Sequence, residues 1–265
     1  MPSLHVMSAN LQQGKPSRRP RPGTDKVAWQ RESISKAIRQ ITAAGPDLLA
    51  LQELKITTPG GDLYAPLLAA GNYHEAIFAP TKNERSRLRA TKKGQARGVG
   101  TALLSVYPIG AREVINLPVH QQETWLKTLR TNIGIGEIPR VAILAEIKVA
   151  PGHSVVVAAT HLTYTYRLNV TQLRTVAGAL AGFAQRYGLE NAPRLIIGDL
   201  NIRGCDVPLA ATGYEAAAEA LTYPSDEPES QIDHILGTGV EVRAAENLFL
   251  PLSDHRALRA TVVWK

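Results

Sequence analysis

The chain has 265 residues, of which 44% are hydrophobic and only 5% aromatic, so a large core would be built mainly from aliphatic side chains. Thirty Lys and Arg residues against 23 Asp and Glu residues give a net charge of +7, which favours polyanionic partners. The single cysteine, Cys205, excludes an intramolecular disulfide bond and a zinc site built from several cysteines.

The organisation of the chain predicts one domain over residues 1–265, because it shows no linker, low-complexity tract or strong repeat. Its first residues lack the charged and continuously apolar regions of a secretory signal, and no apolar run reaches membrane-spanning length. We therefore expect a cytoplasmic protein without a transmembrane segment. A secreted chain whose signal had been removed would have the same sequence features. The sequence does not indicate an oligomeric state.

The first part of the chain predicts alternating strands and helices around one long loop. Proline, glycine and arginine dominate that loop, and apolar residues at helical spacing follow it until a Gly-Pro pair ends the helix. The predicted elements are a strand Leu4–Asn10, the loop Gly14–Lys26, a helix Val27–Ala44, a strand Asp47–Gln52, a helix Leu63–Ala70 and a strand Tyr73–Ala79.

The remainder of the chain predicts more strands than helices. Four strands come first, at Val99–Tyr107, Arg112–Leu117, Arg140–Val149 and Ser154–Thr160. The longest helix follows at Arg167–Tyr187, then a strand at Arg194–Asn201 and a short alanine-rich helix at Glu215–Leu221. Three strands close the chain, at Gln231–Leu236, Val240–Phe249 and Arg256–Trp264.

The segment RLIIGDLNIR, residues 194–203, carries the most informative polar pair. Asp199 and Asn201 are one residue apart after a buried strand, so in extended backbone both side chains leave on the same side. A carboxylate and a carboxamide in this arrangement can hold a water molecule and a phosphoryl oxygen beside a hard cation. The same pair also occurs in turns and helix caps, so it decides nothing alone.

Polar residues also stand at the ends of several other apolar runs. Each has an ordinary structural explanation as a turn residue, a cap or a buried hydrogen-bonding group. As a set they suggest a site assembled at one rim of a sheet. They are Asn10, Glu53, His161, Asp199, Asn201, Asp233, Asp254 and His255.

Five phrases in fixed order, LQELK, THL, IIGDLN, QIDHI and LSDHRAL, resemble the endonuclease/exonuclease/phosphatase superfamily from Asn10 to about Leu258. The resemblance implies an α/β (α+β) fold, a four-layer sandwich of two face-to-face, mainly antiparallel β-sheets flanked by helices. It also implies a metal-dependent phosphoric-ester hydrolase. It does not define the substrate.

The resemblance further implies a divalent-cation site and a set of catalytic groups. Glu53 is similar to the principal ligand of a Mg²⁺ or Mn²⁺ ion, with Asn10 and Asp254 beside it. Asp199 resembles the residue that orients or deprotonates the attacking water, and Asn201 the donor to the phosphate.

Two histidines complete the catalytic set that the resemblance implies. Asp233 is similar to the carboxylate that accepts a hydrogen bond from His255, which then binds a phosphoryl oxygen or moves a proton. His161 occupies a position where abasic-site endonucleases have tyrosine, which disfavours that activity. The glutamate that pairs with this histidine in deoxyribonucleases is not found. Arg140 and Gln172 are expected to be structural supports.

The position of the positive charge favours a nucleic-acid substrate, DNA or RNA. Lys15, Arg18, Arg19 and Arg21 follow Asn10, and the segment Thr81–Arg97, ending in the candidate contact Arg97, is a second basic arm. Tyr164 and Tyr166 follow His161 and are candidates to stack on a base or sugar.

Two other functions stay open at this point. One is a phosphatase or phosphodiesterase acting on inositol phosphates or phospholipid headgroups. The other is a catalytically silent nucleic-acid-binding module that kept the fold.

Overall fold

Two six-stranded β-sheets form the centre of the computed structural model, which describes residues 2–56, 63–81, 98–119, 139–207, 211, 213–216 and 220–264. The first sheet contains β1 (Ser3–Asn10), β2 (Leu48–Ile56), β3 (Glu75–Pro80), β4 (Gly98–Ser105), β11 (Glu241–Leu248) and β12 (Ala257–Val263). Its strand order is β11-β12-β1-β2-β4-β3. The pair β1–β2 is parallel, and the other pairs in this sheet are antiparallel.

The second sheet contains β5 (Ile109–Asn116), β6 (Val141–Ala150), β7 (His153–His161), β8 (Arg194–Asp199), β9 (Glu215–Ala216) and β10 (Asp233–Thr238). Its strand order is β5-β6-β7-β8-β10-β9, and only β7 and β8 are parallel. In each sheet the single parallel pair is central, so the ends of its two strands meet at one rim.

Three α-helices cover the sheets within the described ranges: α1 (Lys26–Ala44), α2 (Tyr64–Ala70) and α3 (Leu168–Arg186). Two short 3-10 helices, Gln12–Gly14 and Gly204–Asp206, lie in loops. Asp25 caps α1 by accepting hydrogen bonds from the backbone N–H groups of Val27 and Ala28, and Gly45 ends the helix in left-handed backbone. The buried face of α3 includes Leu173 and Phe183, as the helical spacing predicts. None of these helices is long and apolar enough to cross a membrane.

The core consists of three layers of aliphatic side chains. One lies between the two sheets, with members such as Val6, Ile143 and Ile197. A second lies between the second sheet and α3, and a third lies under α1 and α2. The predicted four-layer sandwich of two mainly antiparallel sheets flanked by helices is confirmed.

The helix predicted at Glu215–Leu221 is wrong in the part that the structure describes. Residues Glu215–Ala216 were expected to begin a helix, but they form the edge strand β9, which pairs with Leu236 and Gly237 of β10. The open edge of β10 offers backbone hydrogen-bonding groups, and the helix preference of alanine is too weak to compete with them. Of the basic segment Thr81–Arg97, only Thr81 lies within the described residues; Arg97 does not.

Candidate active site

The ends of β7, β8 and β10 bring three predicted residues together in the second sheet. His161 is the register partner of Asp199 across the parallel pair β7–β8, and Asp233 is its partner across the antiparallel pair β8–β10. Asp199 is therefore flanked on both sides. All three side chains are buried.

A hydrogen bond from the first sheet reaches this group. Asn10, at the end of β1, donates from Nδ2 to Asp199 Oδ2 at 2.9 Å. Asn10 Oδ1 in turn accepts from the backbone N–H of Gln12 at 3.0 Å, which fixes the orientation of the amide. The buried Asn10–Asp199 contact thus links the rims of the two sheets.

Gly198 permits the close approach of β8 to β7 that places Asp199. A Cβ atom at this position would lie 2.0 Å from the carbonyl oxygen of Thr160, far inside contact distance. The glycine in the phrase IIGDLN is therefore required by packing between strands.

His255 lies between the two buried aspartates. Its Nδ1 donates to Asp233 Oδ2 at 2.9 Å, and its Nε2 lies 3.8 Å from Asp199 Oδ2. The ring of Tyr223 packs against the imidazole, with 5.1 Å between ring centroids. The predicted pairing of His255 with Asp233 is therefore present in the geometry.

Two side chains of this group, His255 and Asp199, have raised pKa values. Burial opposes the charged form of His255, but the carboxylates of Asp233, Asp199 and Asp254 outweigh it and raise the pKa to about 9. Burial and the charge of Asp233 raise the pKa of Asp199 to about 7, against the opposing effects of His255, Asn10 and the Asn201 backbone. A cationic imidazole thus stands beside a carboxyl group able to gain or lose a proton near neutral pH.

His161 is placed to act as a neutral group. Its Nε2 lies 3.3 Å from Asp199 Oδ2, which supplies the partner that the sequence did not reveal. Burial lowers its pKa well below the usual value, and the nearby charges of Arg140 and His255 lower it further.

Asn201 is held by several contacts in left-handed backbone, with φ of 49°. Its backbone N–H donates to Asp199 Oδ1 at 3.0 Å, and its Nδ2 donates to the carbonyl of Leu162 at 3.1 Å. Asn169 in α3, 2% exposed, donates to the carbonyl of Asn201 at 2.7 Å. A side-chain amide carries two N–H groups, so Asn201 retains one for a phosphate oxygen.

Three residues with contacts in or beside the site were not predicted from the sequence: Asn169, Tyr223 and Gln13. An asparagine in the first turn of a helix is the ordinary signature of a cap, so Asn169 gave no separate signal. Tyr223 lies in a loop whose path depends on contacts with the Ser253–Arg256 turn, such as the hydrogen bond from Ser225 N–H to the Asp254 carbonyl. No local sequence pattern indicates the contacts of Asn169 or Tyr223.

Glu53 stands at the rim of the first sheet, one residue after Gln52, which is the register partner of Asn10. The strand carries a register shift between Leu51 and Leu54, and Glu53 itself adopts φ of 50°. Gln13, also in left-handed backbone with φ of 60°, donates from Nε2 to Glu53 Oε2 at 3.4 Å. Gln12 also has a positive φ, of 43°, so three non-glycine residues in left-handed backbone mark a locally strained rim.

Asp254 is half-buried and precedes His255 directly. Its carbonyl accepts from the backbone N–H of Ser225 at 2.7 Å, which fixes the turn at this point. Its carboxylate contributes to the raised pKa of His255, as expected for a charge close to the imidazole.

The donor chemistry of the rim fits a divalent cation. Asp233 Oδ1 is buried without a hydrogen-bond partner in the part of the chain that the structure describes, and Asp199 carries poorly compensated negative charge. The candidate ligand atoms of Asp199, Asp233 and His255 lie within 4.8 Å of one another. Because His255 Nδ1 already donates to Asp233, the carboxylate oxygens of Asp199 and Asp233 are the donors in this group that suit a hard ion. Among the described residues, the predicted ligands Glu53 and Asp254 do not belong to this group, and Asn10 contacts it through its hydrogen bond to Asp199.

The candidate substrate contacts are placed differently from one another. Arg18 pairs with Asp226 at 3.1 Å and lies over the ring of Phe249, so its charge is already engaged. Arg19 and Arg21 are exposed. Tyr164 and Tyr166 are 81% and 69% exposed, which leaves both rings accessible.

Gln172 and Arg140, which were expected to be structural supports, are both buried. The amide of Gln172 accepts from the backbone N–H of Thr163 at 2.9 Å and donates to the carbonyl of Pro118 at 2.7 Å. Arg140 is 8% exposed and close enough to His161 to lower its pKa. These contacts fix the loop that follows His161.

Comparison with known proteins gives a match to the Endonuclease/Exonuclease/phosphatase family model over residues 7–255. An endonuclease/exonuclease/phosphatase from Beutenbergia cavernae DSM 12333 is 22% identical, with a TM-score of 0.64 and coverage of 99% of this chain and 72% of that chain. The mannosyl-6-phosphatase of Bacteroides thetaiotaomicron VPI-5482 is 14% identical, with a TM-score of 0.70 and coverage of 98% of this chain and 100% of that chain.

The human Nocturnin catalytic domain, solved with bound sulfate, is 19% identical, with a TM-score of 0.67 and coverage of 99% of this chain and 95% of that chain. At these identities the similarity concerns the fold. No curated protein sequence matches the chain significantly.

Proposed function

Because the chain belongs to the endonuclease/exonuclease/phosphatase family, whose members hydrolyse phosphoric esters, we propose that it is a divalent-metal-dependent nuclease acting on DNA or RNA. The observation that supports the proposal most is the buried group around Asp199. A carboxyl group with a pKa of about 7 contacts Asn10 and lies near a histidine kept charged by Asp233.

The proposed reaction is in-line attack of water on phosphorus. Asp199 orients the water and accepts its proton, since a carboxyl group with a raised pKa is a stronger base than an ordinary aspartate. The charged His255 binds a phosphoryl oxygen, and the free N–H of the Asn201 side chain donates to another. These groups surround the oxygens on which negative charge accumulates.

The remaining groups hold and neutralise the substrate. Glu53, with Asn10 and Asp254, would hold a Mg²⁺ or Mn²⁺ ion, which when bound stabilises the negative charge of the transition state. His161 is neutral and has one N–H, which can donate to a phosphoryl or leaving oxygen in place of Asp199 without adding charge.

Positive charge and exposed rings support nucleic acid as the substrate. The net charge is +7, and Arg19 and Arg21 are exposed in the loop that leaves Asn10. Tyr164 and Tyr166, three and five residues after His161, offer faces on which bases can stack. A phosphate monoesterase is the second candidate, because one similar structure is a mannosyl-6-phosphatase.

A cleavage panel tests the proposal. Single- and double-stranded DNA, RNA, an inositol phosphate, sphingomyelin and mannose 6-phosphate are incubated with the protein and Mg²⁺ or Mn²⁺, with Asp199→Asn as the control. We expect cleavage of at least one nucleic acid by the wild type and loss of that cleavage in the variant. Hydrolysis of the small phosphoesters alone would replace the nuclease by a phosphatase, and no hydrolysis with either ion would favour a silent binding module.

A further inference from the structure

A cavity of about 300 Å³ lies between the first turns of α1 and the end of β2. Its apolar walls include Ile34, Leu54 and Leu63, and its polar lining includes Gln13, Arg31 and Lys55. Leu54 and Leu63 are almost fully buried, at 1% and 3% exposure. A volume of this size matches the lower end of the range for small-ligand pockets.

The cavity adjoins the candidate metal ligand Glu53. Gln13 belongs to both regions, because its side chain lines the cavity while its Nε2 donates to Glu53 Oε2. Leu54 and Lys55 of the lining follow Glu53 directly in β2. A group attached to a phosphate bound near Glu53 would therefore lie beside the cavity.

The lining has the chemistry of a nucleotide site. Arg31 and Lys55 are exposed cations, and neither forms an ion pair with the described residues, whereas Lys36 further along α1 is paired with Glu32. Apolar walls favour the faces of a flat base, and the cations favour a phosphate. A sugar phosphate without a base would place hydroxyl groups against leucine and isoleucine side chains, which is unfavourable without hydrogen-bond partners.

We propose that this cavity binds the nucleoside adjacent to the scissile phosphate, with Arg31 and Lys55 contacting the next phosphate along the strand. The inference rests on the proposed nuclease function and goes beyond it, because it assigns recognition of the base to a site on the side of α1 and β2. It also separates a nuclease from a sugar phosphatase, which has no base to bury.

Calorimetric titrations test the inference in the Asp199→Asn background with Mg²⁺, so that no ligand is hydrolysed. The three ligands are adenosine 3′,5′-bisphosphate, adenosine 5′-monophosphate and ribose 5-phosphate. We expect the base to improve affinity about tenfold, comparing the monophosphate with ribose 5-phosphate, and the second phosphate to improve it about tenfold again.

Two added substitutions assign these effects to the cavity. Ile34→Trp fills the space and should remove the advantage of the base, while Arg31→Glu should remove the advantage of the second phosphate. Arg39→Glu, on the same helix but outside the cavity, is the matched control and should retain both. Thermal melting shows whether Ile34→Trp is folded. If it is not, Arg31→Glu, an exposed substitution, decides whether the cavity binds the ligand.

Equal binding of the monophosphate and ribose 5-phosphate, absence of binding by all three ligands, or advantages that persist in both variants would overturn the inference. Wild-type cleavage of an oligonucleotide, measured in parallel, keeps this result separate from the proposed function. Cleavage without these affinity differences would support the proposed nuclease function and contradict base binding in the cavity. Absence of cleavage counts against the nuclease itself.

Discussion

Asp199 is the residue on which the polar contacts of the rim converge. It accepts hydrogen bonds from Asn10 and from the backbone of Asn201, and it lies near both His161 and His255. Burial makes its charged form costly, so its pKa is raised to about 7. Such a group contributes reactivity at the expense of folding stability.

Asp199→Asn should lower phosphodiester hydrolysis at least about a hundredfold, because the amide cannot accept the proton of water. The melting temperature should be unchanged or higher, since the substitution removes a poorly compensated buried charge. Initial rates on the best oligonucleotide substrate and thermal melting of both proteins check the two halves of the prediction. Wild-type rates in the variant would contradict the role of Asp199.

Asp233 controls the charge of His255. The raised pKa of about 9, above the ordinary 6.5, means that the charged pair stabilises the fold fully below pH 6.5 and loses its effect as pH rises through 9. In Asp233→Asn the charge and the hydrogen bond that raise the pKa of His255 most are lost, so the pKa should fall and the loss of stability between pH 6.5 and 9 should become smaller. Urea unfolding of the metal-free proteins at several pH values measures this, and identical pH dependence in both would contradict it.

The residue types of the site were largely predictable, but their supporting contacts were not. Asn10, His161, Asp199 and Asp233 stand at strand ends, where a short apolar run followed by a polar residue is visible in the sequence. The hydrogen bond from Asn169 to the Asn201 carbonyl joins a helix to a loop, and nothing local in the sequence specifies it.

At the scale of the elements, the packing of β8 against β7 places His161 beside Asp199. Gly198 is a point of close approach, because any side chain there would meet the carbonyl of Thr160. Hydrophobic runs predicted β7 and β8, but a lone glycine before Asp199 does not by itself indicate a close approach between strands. In the structure the glycine is needed for close contact between the two neighbouring strands.

Gly198→Ala should destabilise the fold by more than about 2 kcal/mol, since the new methyl group would force the two strands apart. Gly178→Ala, inside α3 with no atom within 4 Å of the added Cβ, is the matched control. It should stabilise the protein by about 0.5–1 kcal/mol through helix propensity. Chemical unfolding compares both, and a neutral Gly198→Ala would contradict the packing argument.

Periodicity predicted the long elements well because their buried faces repeat regularly, as in α1 and α3. It failed at Glu215–Ala216 because two residues carry no period and the neighbouring edge of β10 decided their conformation. Short segments therefore depend on tertiary contacts that the local sequence does not contain.

Across the whole molecule, the net charge of +7 should act through the few cations near the rim. Arg19→Ala should weaken oligonucleotide binding and reduce the slope of log affinity against log salt by about 0.7. Arg186→Ala is the matched control, because Arg186 lies at the C-terminal end of α3 and is already paired with Glu113 of β5. Binding by fluorescence anisotropy at several salt concentrations measures the slope, and equal slopes in the two variants would remove Arg19 from the substrate path.

The whole fold brings side chains from both ends of the chain to one rim, where the two sheets meet through the Asn10–Asp199 hydrogen bond. Two parallel central pairs make this possible, since each delivers two strand ends to the same edge. The order of the motifs indicated this arrangement, whereas the strained backbone at Glu53 and Gln13 was not predictable from residue identity.

Removal and return of the divalent ion is the most direct measurement of whether this rim is a metal-dependent hydrolytic site. The wild type is stripped with a chelator, and oligonucleotide cleavage and calorimetric Mn²⁺ binding are then followed as the ion is added back, with Glu53→Gln in parallel. We predict no cleavage by the stripped protein, full recovery with the ion, and at least about tenfold weaker Mn²⁺ binding in Glu53→Gln. Cleavage by the stripped wild type, or unchanged Mn²⁺ binding in the variant, would contradict the assignment.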